Sequence, residues 1–322
     1  MQRITWYALL AVVALVVPVG GQTPSQQQQM PRASVREIAS IQGERFNSWV
    51  LLPDGRTLIY SSTTTRNASS WQPRATDTTF AYDIATKRRT LLGTNMLPTD
   101  VSPMGDRLAF TRTLEDGTGR VVWTMPIDPR TGLATGPAQR VSLRSDDVWP
   151  RFSPDGRTIA FVSFDGTLRN LIVVPAAGGS ERAVATYPSS ISWAWSTDGT
   201  YLYVSRNNND SETRVERVPV AGGRSEPLVP RTDGEFLGLS PDARVALFHN
   251  WPDRFFYRTA SGVEGEISVP LPKYDGGRVF NFALDWKLRY TMHTSVVRPG
   301  APRVETIYEI DFAPALQAMM KR

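Results

Sequence analysis

The chain has 322 residues, among them two histidines and no cysteine, so few side chains could carry acid–base or metal chemistry. His249 and His293 each follow a short apolar run, and two neighbouring imidazoles can bind a metal ion or exchange protons. A metal site would need carboxylates beside them, and Asp253 is the nearby candidate in the sequence. The alternative is that each imidazole ends a strand and bonds locally. Without cysteine there is no disulfide, thiolate metal ligand or cysteine nucleophile.

A serine hydrolase would need a strained nucleophile elbow and a histidine base. No Gly-x-Ser-x-Gly motif occurs in the sequence. Gly238-Leu239-Ser240 matches its first half, but Pro241 and Asp242 follow, and this serine belongs to a repeated turn. We therefore predict no catalytic residue, no metal site and no cofactor.

The histidines lie in a segment that recurs six times, and its best copy spans residues 151–163. This copy ends one apolar strand, turns through Pro154, Asp155 and Gly156, and continues as a second strand of alternating residues. Each copy has an anchor position, usually aspartate, which falls at residues 54, 104, 155, 198, 242 and 285. The spacing of 43 to 51 residues is typical of four-stranded propeller blades.

This repeat predicts an all-β fold, a six-bladed β-propeller of four-stranded antiparallel blades spanning residues 33–313. The 24 glycines and 24 prolines suit many short strands joined by turns. The last copy has a third strand at residues 304–312 and little sequence after it, whereas residues 34–40 form an isolated strand pattern. We predict that residues 34–40 supply the outer strand of the last blade and close the ring, which protects strand edges. The alternative is a disordered segment before the domain.

The flanking segments predict export. Residues 1–21 have the pattern of a signal peptide, with Arg3, an apolar stretch at 7–19 and small residues before position 22. The alternative is an uncleaved membrane anchor. Residues 22–32 are rich in glutamine and predict a disordered tether, and residues 314–322 predict a C-terminal tail. We therefore expect a periplasmic or secreted protein.

The net charge of +5 and the pI near 9.6 come from interspersed basic and acidic residues. No basic run with interleaved aromatic residues occurs, so the sequence does not predict nucleic-acid binding. We expect a monomer with a mildly basic, solvated surface.

The repeated phrase Ser-Pro-Asp-Gly-Arg-x-(Leu/Ile)-Ala-Phe, followed by an apolar strand and a Gly-Gly turn, resembles the repeats of TolB-type propellers. It also resembles the non-catalytic propeller of prolyl-oligopeptidase-like enzymes. The resemblance covers nearly the whole chain after residue 32, and the pattern departs at Met104, Ala243 and Trp286. TolB is periplasmic and binds partner proteins at a propeller face, so the resemblance implies a similar scaffold role. It is weak for function, because the same repeat accompanies unrelated activities.

Strand alternation assigns a first set of candidate residues to the central channel. Positions four before the anchor are predicted to face the channel: Val50, Asp100, Arg151, Ala194, Gly238 and Asn281. Asp100 and Arg151 fall in adjacent blades and could pair across it. The alternative is a purely structural pair that needs no ligand.

A second set is predicted to rim the channel mouth. Its members start the innermost strands or end the second strands: Arg45, Asp147, Trp149, Glu235 and Arg278, then Arg112, Arg206, His249, Trp251 and His293. Tryptophan and arginine are frequent anchors of binding hot spots, although Trp149 could instead belong to the core.

We therefore predict an exported, non-catalytic propeller that binds a protein or peptide partner at its channel mouth. The alternative is a propeller enzyme, a lyase or hydrolase, or a small-ligand or metal-binding protein that uses His249, His293 and nearby carboxylates. A scarcity of histidine argues against that alternative. A purely structural envelope component fits the same sequence features.

Overall fold

The computed structural model describes residues 30–63, 77–188, 191–207, 213–232, 234–250, 253–272, 277–280 and 289–320. Its strands form six four-stranded antiparallel sheets, which confirms the predicted all-β propeller. The first strands of blades one and two, of blades two and three, and of blades four and five contact each other, which places them innermost around the axis. The N-terminal strand β1 (Ser34–Gln42) belongs to the sixth sheet rather than the first.

The strands follow one another along the chain, four to a blade. Blades one to three consist of β2 (Phe46–Leu51), β3 (Thr57–Ser62), β4 (Thr78–Asp83) and β5 (Arg88–Thr94); β6 (Leu97–Val101), β7 (Arg107–Thr113), β8 (Arg120–Pro126) and β9 (Gln139–Arg140); and β10 (Asp147–Phe152), β11 (Thr158–Asp165), β12 (Leu168–Pro175) and β13 (Arg182–Tyr187).

The second half of the ring repeats this plan. Blades four to six consist of β14 (Ile191–Trp195), β15 (Tyr201–Asn207), β16 (Thr213–Pro219) and β17 (Glu226–Thr232); β18 (Glu235–Leu239), β19 (Val245–Asn250), β20 (Arg254–Thr259) and β21 (Glu264–Ile267); and β22 (Gly277–Phe280), β23 (Arg289–Val296) and β24 (Val304–Asp311) together with β1.

The repeated Ser-Pro-Asp-Gly turn is held by its own side chains. In blade three, the Ser153 hydroxyl donates to Asp155 at 2.5 Å and accepts a hydrogen bond from the Thr158 N–H at 3.0 Å. The Asp155 carboxylate also accepts the Arg157 N–H at 3.0 Å. Gly156 adopts the left-handed φ of 73° that this turn requires. The turn therefore joins first and second strands by local chemistry alone, as the sequence predicts.

Blade two shows how the turn survives the departure at Met104. Here the Ser102 hydroxyl donates to Asp106 at 2.6 Å and accepts the Arg107 N–H at 3.0 Å. A carboxylate two residues later thus replaces the missing aspartate. Met104 itself is exposed at the turn.

Ala243 in blade five stands where the copies of blades one to four have glycine, and it adopts a positive φ of 57°. A left-handed backbone costs a residue with a Cβ about 1–2 kcal/mol. We expect Ala243→Gly to raise the free energy of unfolding by about 1 kcal/mol, after part of this gain is lost to unfolded-chain entropy. Chemical denaturation measures it. Gly156→Ala is the reciprocal control and should destabilise the protein; equal stability of both variants with the wild type would contradict the assignment.

In the described part of the chain, six apolar clusters make up the core, and each lies between two neighbouring blades. Val50 packs with Leu108 and Phe110 of blade two, and Ala194 packs with Phe236 of blade five. The prediction that Val50 and Ala194 face the channel is therefore wrong. In each of these two strands, the face that carries the residue is covered by the next blade.

The ring is closed by both ends of the chain, as predicted. Strand β1 pairs antiparallel with β24, from Ser34 opposite Asp311 to Gln42 opposite Val304. Ile38 and Ala39 of β1 then pack in the cluster shared by blades six and one. The last blade thus takes three strands from the C-terminal part of the chain and its outermost strand from the N-terminal part.

Residues next to the closing strand extend this arrangement. The Ala33 N–H donates to the Ser268 carbonyl at 3.0 Å, and the Ser268 N–H donates to the Pro31 carbonyl at 2.8 Å. The last residues of the predicted tether therefore pair with blade five. Helix α1 (Ala313–Met320) begins after Asp311 and packs Leu316 between blades five and six.

The predicted signal peptide and most of the predicted tether lie outside the described residues. No helix in the described part of the chain has the length and apolar composition needed to cross a bilayer.

Candidate functional site

The candidate site lies at the end of the ring where innermost strands begin and second strands end, which we call the mouth face. Strand register places these two sets of residues side by side. Asp147 at the start of β10 lies opposite Ser163 of β11, and Glu235 at the start of β18 lies opposite His249 of β19. Arg278 of β22 lies opposite Thr294.

His249 is 4 % exposed and lies in the blade where the sequence places it. Its ring centroid is 4.9 Å from that of Phe255, which belongs to the cluster between blades five and six. Its Nδ1 lies 4.0 Å from Oε2 of Glu235. Burial raises the pKa of the Glu235 carboxyl. The imidazole is thus packed against its own blade and a neighbouring carboxyl.

His293 is also 4 % exposed and lies between blades six and one. Its ring stacks with Phe46 at 5.4 Å and tilts against Trp49 at 5.0 Å. Its Nε2 bonds the carboxylate of Glu305, which is 1 % exposed. Glu305 also accepts a hydrogen bond from Ser295 at 3.0 Å.

Glu305 is a partner that sequence reasoning missed. It lies on β24, and the antiparallel pairing of β23 with β24 brings it beside His293. The sequence does hold a signal for this pair, because a carboxylate on the strand after the histidine strand can lie opposite the histidine. Using that signal requires knowing where both strands begin and end. Arg303 lies 3.5 Å from the same carboxylate, so the group is an ion-paired network in the blade interface.

The two imidazoles therefore sit in different inter-blade interfaces, each with its own carboxyl and aromatic contacts. Within the described ranges, no group of three or more histidine, aspartate or glutamate side chains is placed to hold a metal ion. The contacts of both histidines agree with the alternative in which each imidazole ends a strand and bonds locally.

Blade three presents an aromatic and cationic group at the mouth face. Trp149 sits at a register shift in β10 with a positive φ of 56°. Its ring meets Phe164 edge-on at 5.9 Å. The guanidinium of Arg169 lies 4.2 Å from the Phe164 ring centroid and that of Arg120 lies 5.6 Å from it. Asp146 accepts a hydrogen bond from Arg120 Nε at 2.8 Å.

The backbone of Trp149 is unusual for two reasons. A bulky residue rarely adopts a positive φ, and the following Pro150 restricts it further. Such outliers cost on the order of 1–3 kcal/mol and persist where surrounding structure holds them. Trp149 is half-buried and contacts the cluster between blades three and four, so both readings of this residue apply: its body joins the core and part of it remains exposed.

The other predicted residues are distributed around the ring. Asp100 accepts the Phe152 N–H at 2.7 Å and so links blade two to blade three. Arg151 lies 5.9 Å from the Trp193 ring of blade four, and the predicted Asp100–Arg151 pair remains a prediction. Arg206 reaches Glu216 at 3.4 Å within its own blade. The Arg45 carbonyl accepts the Thr63 N–H at 2.9 Å.

Two predicted site residues, Trp251 and Asn281, lie outside the described residues.

Asp147 is fully buried, and among the described residues neither carboxylate oxygen makes a hydrogen bond of ordinary geometry. Burial raises the pKa of this carboxyl, while the nearby Ser163 and Ser142 hydroxyls act in the opposite direction. Since the side chain is covered, its contribution at the mouth face is to the strand beneath Trp149 rather than to a direct contact with a partner.

The raised pKa of Asp147 predicts that its ionisation lowers the free energy of unfolding at neutral pH. Its stabilising contribution is complete below the ordinary aspartate pKa of about 3.9 and is lost as pH rises through the raised value. We expect Asp147→Asn to stabilise the protein at pH 7 by about 1–3 kcal/mol and to have no such effect near pH 3. Melting temperatures across this range test it.

Asp155→Asn is the matched control for this experiment. Hydrogen bonds from Ser153 and the Arg157 N–H lower the pKa of Asp155, so its contribution is present at neutral pH and lost as pH falls. This variant should be less stable than the wild type at pH 7. An Asp147→Asn variant that is destabilised at pH 7 would show that Asp147 has a partner that stabilises its charge.

Comparison with known proteins supports the fold. No protein-family model matches the chain. A curated relative, the uncharacterized peptidase YuxL of Bacillus subtilis, is 29 % identical over 157 residues. The match spans 45 % of this chain but only 23 % of that protein, less than a quarter of its length.

Solved structures with the same architecture come from proteins of different roles. A putative TolB from Agrobacterium tumefaciens aligns with a TM-score of 0.51 at 17 % identity, over 73 % of this chain and 88 % of that chain. An oligogalacturonate lyase in complex with manganese aligns with a TM-score of 0.52 at 13 % identity, over 84 % of this chain and 77 % of that chain. The β-propeller domain of the Trilobed protease from Pyrococcus furiosus aligns with a TM-score of 0.52 at 14 % identity, over 82 % of this chain and 82 % of that chain. These likenesses show that the chain has the propeller fold seen in TolB and in peptidase-associated propellers.

Proposed function

We propose that this chain is an exported, non-catalytic β-propeller that binds a protein or peptide partner at its mouth face. The observation that carries the proposal is the contrast between the histidines and Trp149. His249 and His293 are buried and engaged with neighbouring groups, whereas Trp149 is only half-buried and is held in a backbone conformation that costs free energy.

The surroundings of Trp149 support a recognition role. Tryptophan and arginine dominate binding hot spots because they bury a large area and offer directed hydrogen bonds. Phe164 and Arg169 contact each other beside Trp149, and Leu168 nearby is 39 % exposed. A rigid aromatic side chain next to cationic groups suits a protein surface with apolar and acidic residues.

Export is part of the same proposal. It is supported by the signal-like pattern of residues 1–21 and by the likeness of the fold to a putative TolB. Cell fractionation with N-terminal sequencing of the recovered protein tests it. Recovery of the intact chain in the cytoplasmic fraction alone would contradict export.

Site-specific photocrosslinking in the native host tests partner binding. A photoreactive amino acid at position 149 is expected to give a discrete adduct with one partner. The matched control places the same amino acid at the exposed Arg157, at the opposite end of blade three. Adducts of equal yield from both positions, or from position 157 alone, would contradict binding at the mouth face.

Replacing Trp149 with alanine then measures how much this side chain contributes to binding of the captured partner. We expect Trp149→Ala to weaken binding by about 2 kcal/mol or more, as for other hot-spot residues. Arg157→Ala should leave the affinity unchanged. An unchanged affinity in the Trp149 variant would remove this residue from the interface.

A further inference from the structure

Among the described residues, buried hydrogen-bonding groups without partners converge between blades one and two, close to the mouth face. On the blade-one side, Ser48 and Ser61 lie directly opposite each other in the β2–β3 pair. Ser61 is 0 % exposed, and among the described residues the hydroxyls of both serines lack a hydrogen-bond partner. Such groups are rare in native proteins and call for a ligand or solvent.

The blade-two side contributes two further donors, Arg112 and Trp123. The Arg112 guanidinium lies 4.9 Å from the Trp123 ring centroid and 5.1 Å from that of Phe110. Arg112 Nε and Trp123 Nε1 are buried and have no hydrogen-bond partner in the described part of the chain. Ring contact occupies a face of the guanidinium, whereas its N–H bonds lie in its plane and need acceptors at the edge.

Strand alternation shows that these groups face one another. Val50 and Ile59 of blade one pack against Phe110 of blade two in a single cluster. Ser48 precedes Val50 by two residues and Ser61 follows Ile59 by two, so both hydroxyls share that face. Arg112 follows Phe110 by two residues and points into the same interface.

The charge of Arg112 has no counterpart among the described residues. No carboxylate there forms an ion pair with it, and burial lowers the pKa of its guanidinium. The equivalent arginine of blade four, Arg206, is paired with Glu216. Asp77, in the same blade as the two serines, accepts a hydrogen bond from Asn47 at its Oδ2, at 2.6 Å. A partly desolvated cation surrounded by unused donors is a site for an anion.

We propose that Arg112, Trp123, Ser48 and Ser61 form a carboxylate-binding site between blades one and two. An ionised carboxylate only accepts hydrogen bonds, and its two oxygens match the edge of a guanidinium. Its charge balances Arg112. The carboxylate belongs to an acidic side chain of the protein partner, and in this respect the inference rests on the proposed function; the anion site itself does not.

The Trp123 indole N–H is the direct reporter of this site. In wild-type protein labelled with nitrogen-15, we expect acetate and a glutamate-containing peptide to shift the Trp123 indole resonance, which Trp123→Phe assigns. The same peptide with glutamine in place of glutamate should not shift it. Inorganic phosphate serves as the test of a general anion site. An unmoved Trp123 resonance with both carboxylate probes overturns the proposal.

Variants of Arg112 supply the second measurement. Arg112→Gln is expected to weaken binding of the glutamate peptide at least about tenfold, as loss of charged hydrogen bonds does. Arg112→Lys keeps the charge but loses the paired N–H edge, so its affinity for the glutamate peptide should lie between those of the wild type and Arg112→Gln. Arg107→Gln is the matched control, because Arg107 lies at the other end of the same strand and donates to the Ala176 carbonyl. Equal weakening by the Arg107 variant overturns the proposal.

The outcomes separate this site from the proposed function. Binding of acetate at Trp123 without binding of any acidic peptide supports the anion site. It would also show that the carboxylate does not come from a peptide partner. A captured partner that binds the Arg112→Gln and wild-type proteins equally well keeps the proposed function and overturns the carboxylate site. Phosphate binding tighter than that of both carboxylates overturns the assignment of the ligand class.

Discussion

Deletion of residues 33–41 is expected to lower the melting temperature more than any other local change. It removes nearly all of β1, which pairs with β24 from Ser34 to Gln42 and covers the junction of blades six and one. Loss of the buried Ile38 and Ala39 and of the paired backbone should cost on the order of 5 kcal/mol. For a domain of this size, this corresponds to about 10 °C or more. Calorimetry of the deletion variant and the full chain measures the difference.

Two point variants in β1 serve as the controls for this deletion. Ile38→Ala removes a buried side chain from the closing interface and should destabilise by about 2–4 kcal/mol. Glu37→Ala changes the exposed neighbour in the same strand and should stay within about 0.5 kcal/mol of wild type. A synthetic peptide of residues 30–42 should restore the melting temperature of the deletion variant. A deletion variant as stable as the full chain would show that β1 does not close the ring.

Glu305→Ala is expected to cost about 3 kcal/mol or more, because it removes a buried carboxylate and leaves its hydrogen-bond partners unsatisfied. Glu305 is 1 % exposed and bonds His293, Ser295 and Arg303 within blade six. Since His293 also stacks on Phe46 of blade one, the loss should loosen the same junction that β1 covers. Chemical denaturation of the variant measures the change in the free energy of unfolding.

Glu226→Ala is the control for this prediction. Glu226 bonds Arg217 at 2.6 Å but has a 59 % exposed side chain, so its loss should cost at most about 1 kcal/mol. A double variant with His293→Ala should be less destabilised than the sum of the two single variants, because both act on one contact. Additive effects, or a cost for Glu305→Ala no larger than that for Glu226→Ala, would contradict the buried pair.

The fold follows from features that act over a few residues. The turn around Ser153, Asp155 and Gly156 is closed by its own hydrogen bonds, so each copy specifies a hairpin wherever it occurs. Six copies at blade spacing then determine the number of blades. Even the closing strand could be predicted, since the last repeat lacks a fourth strand and residues 34–40 lack a blade of their own.

The candidate site depended on contacts between blades, and there the sequence was an incomplete guide. Alternation along one strand indicates which residues share a face, but not what covers that face. Alternation alone therefore predicts that Val50 faces the channel, although blade two buries it. Glu305 beside His293 and Arg112 beside Trp123 likewise depend on strands that follow in the chain at distances set by each loop.

The sequence by itself determined the blade repeat, its turns, the scarcity of histidine and cysteine, and the strand that closes the ring. Only the tertiary structure decided that Trp149 takes a left-handed backbone at the mouth face, that Asp147 is buried beneath it, and that Arg112 has unused donors around it. The reason is physical. Turn formation and alternation are properties of a few neighbouring residues, whereas burial, charge pairing and backbone strain arise where two blades meet.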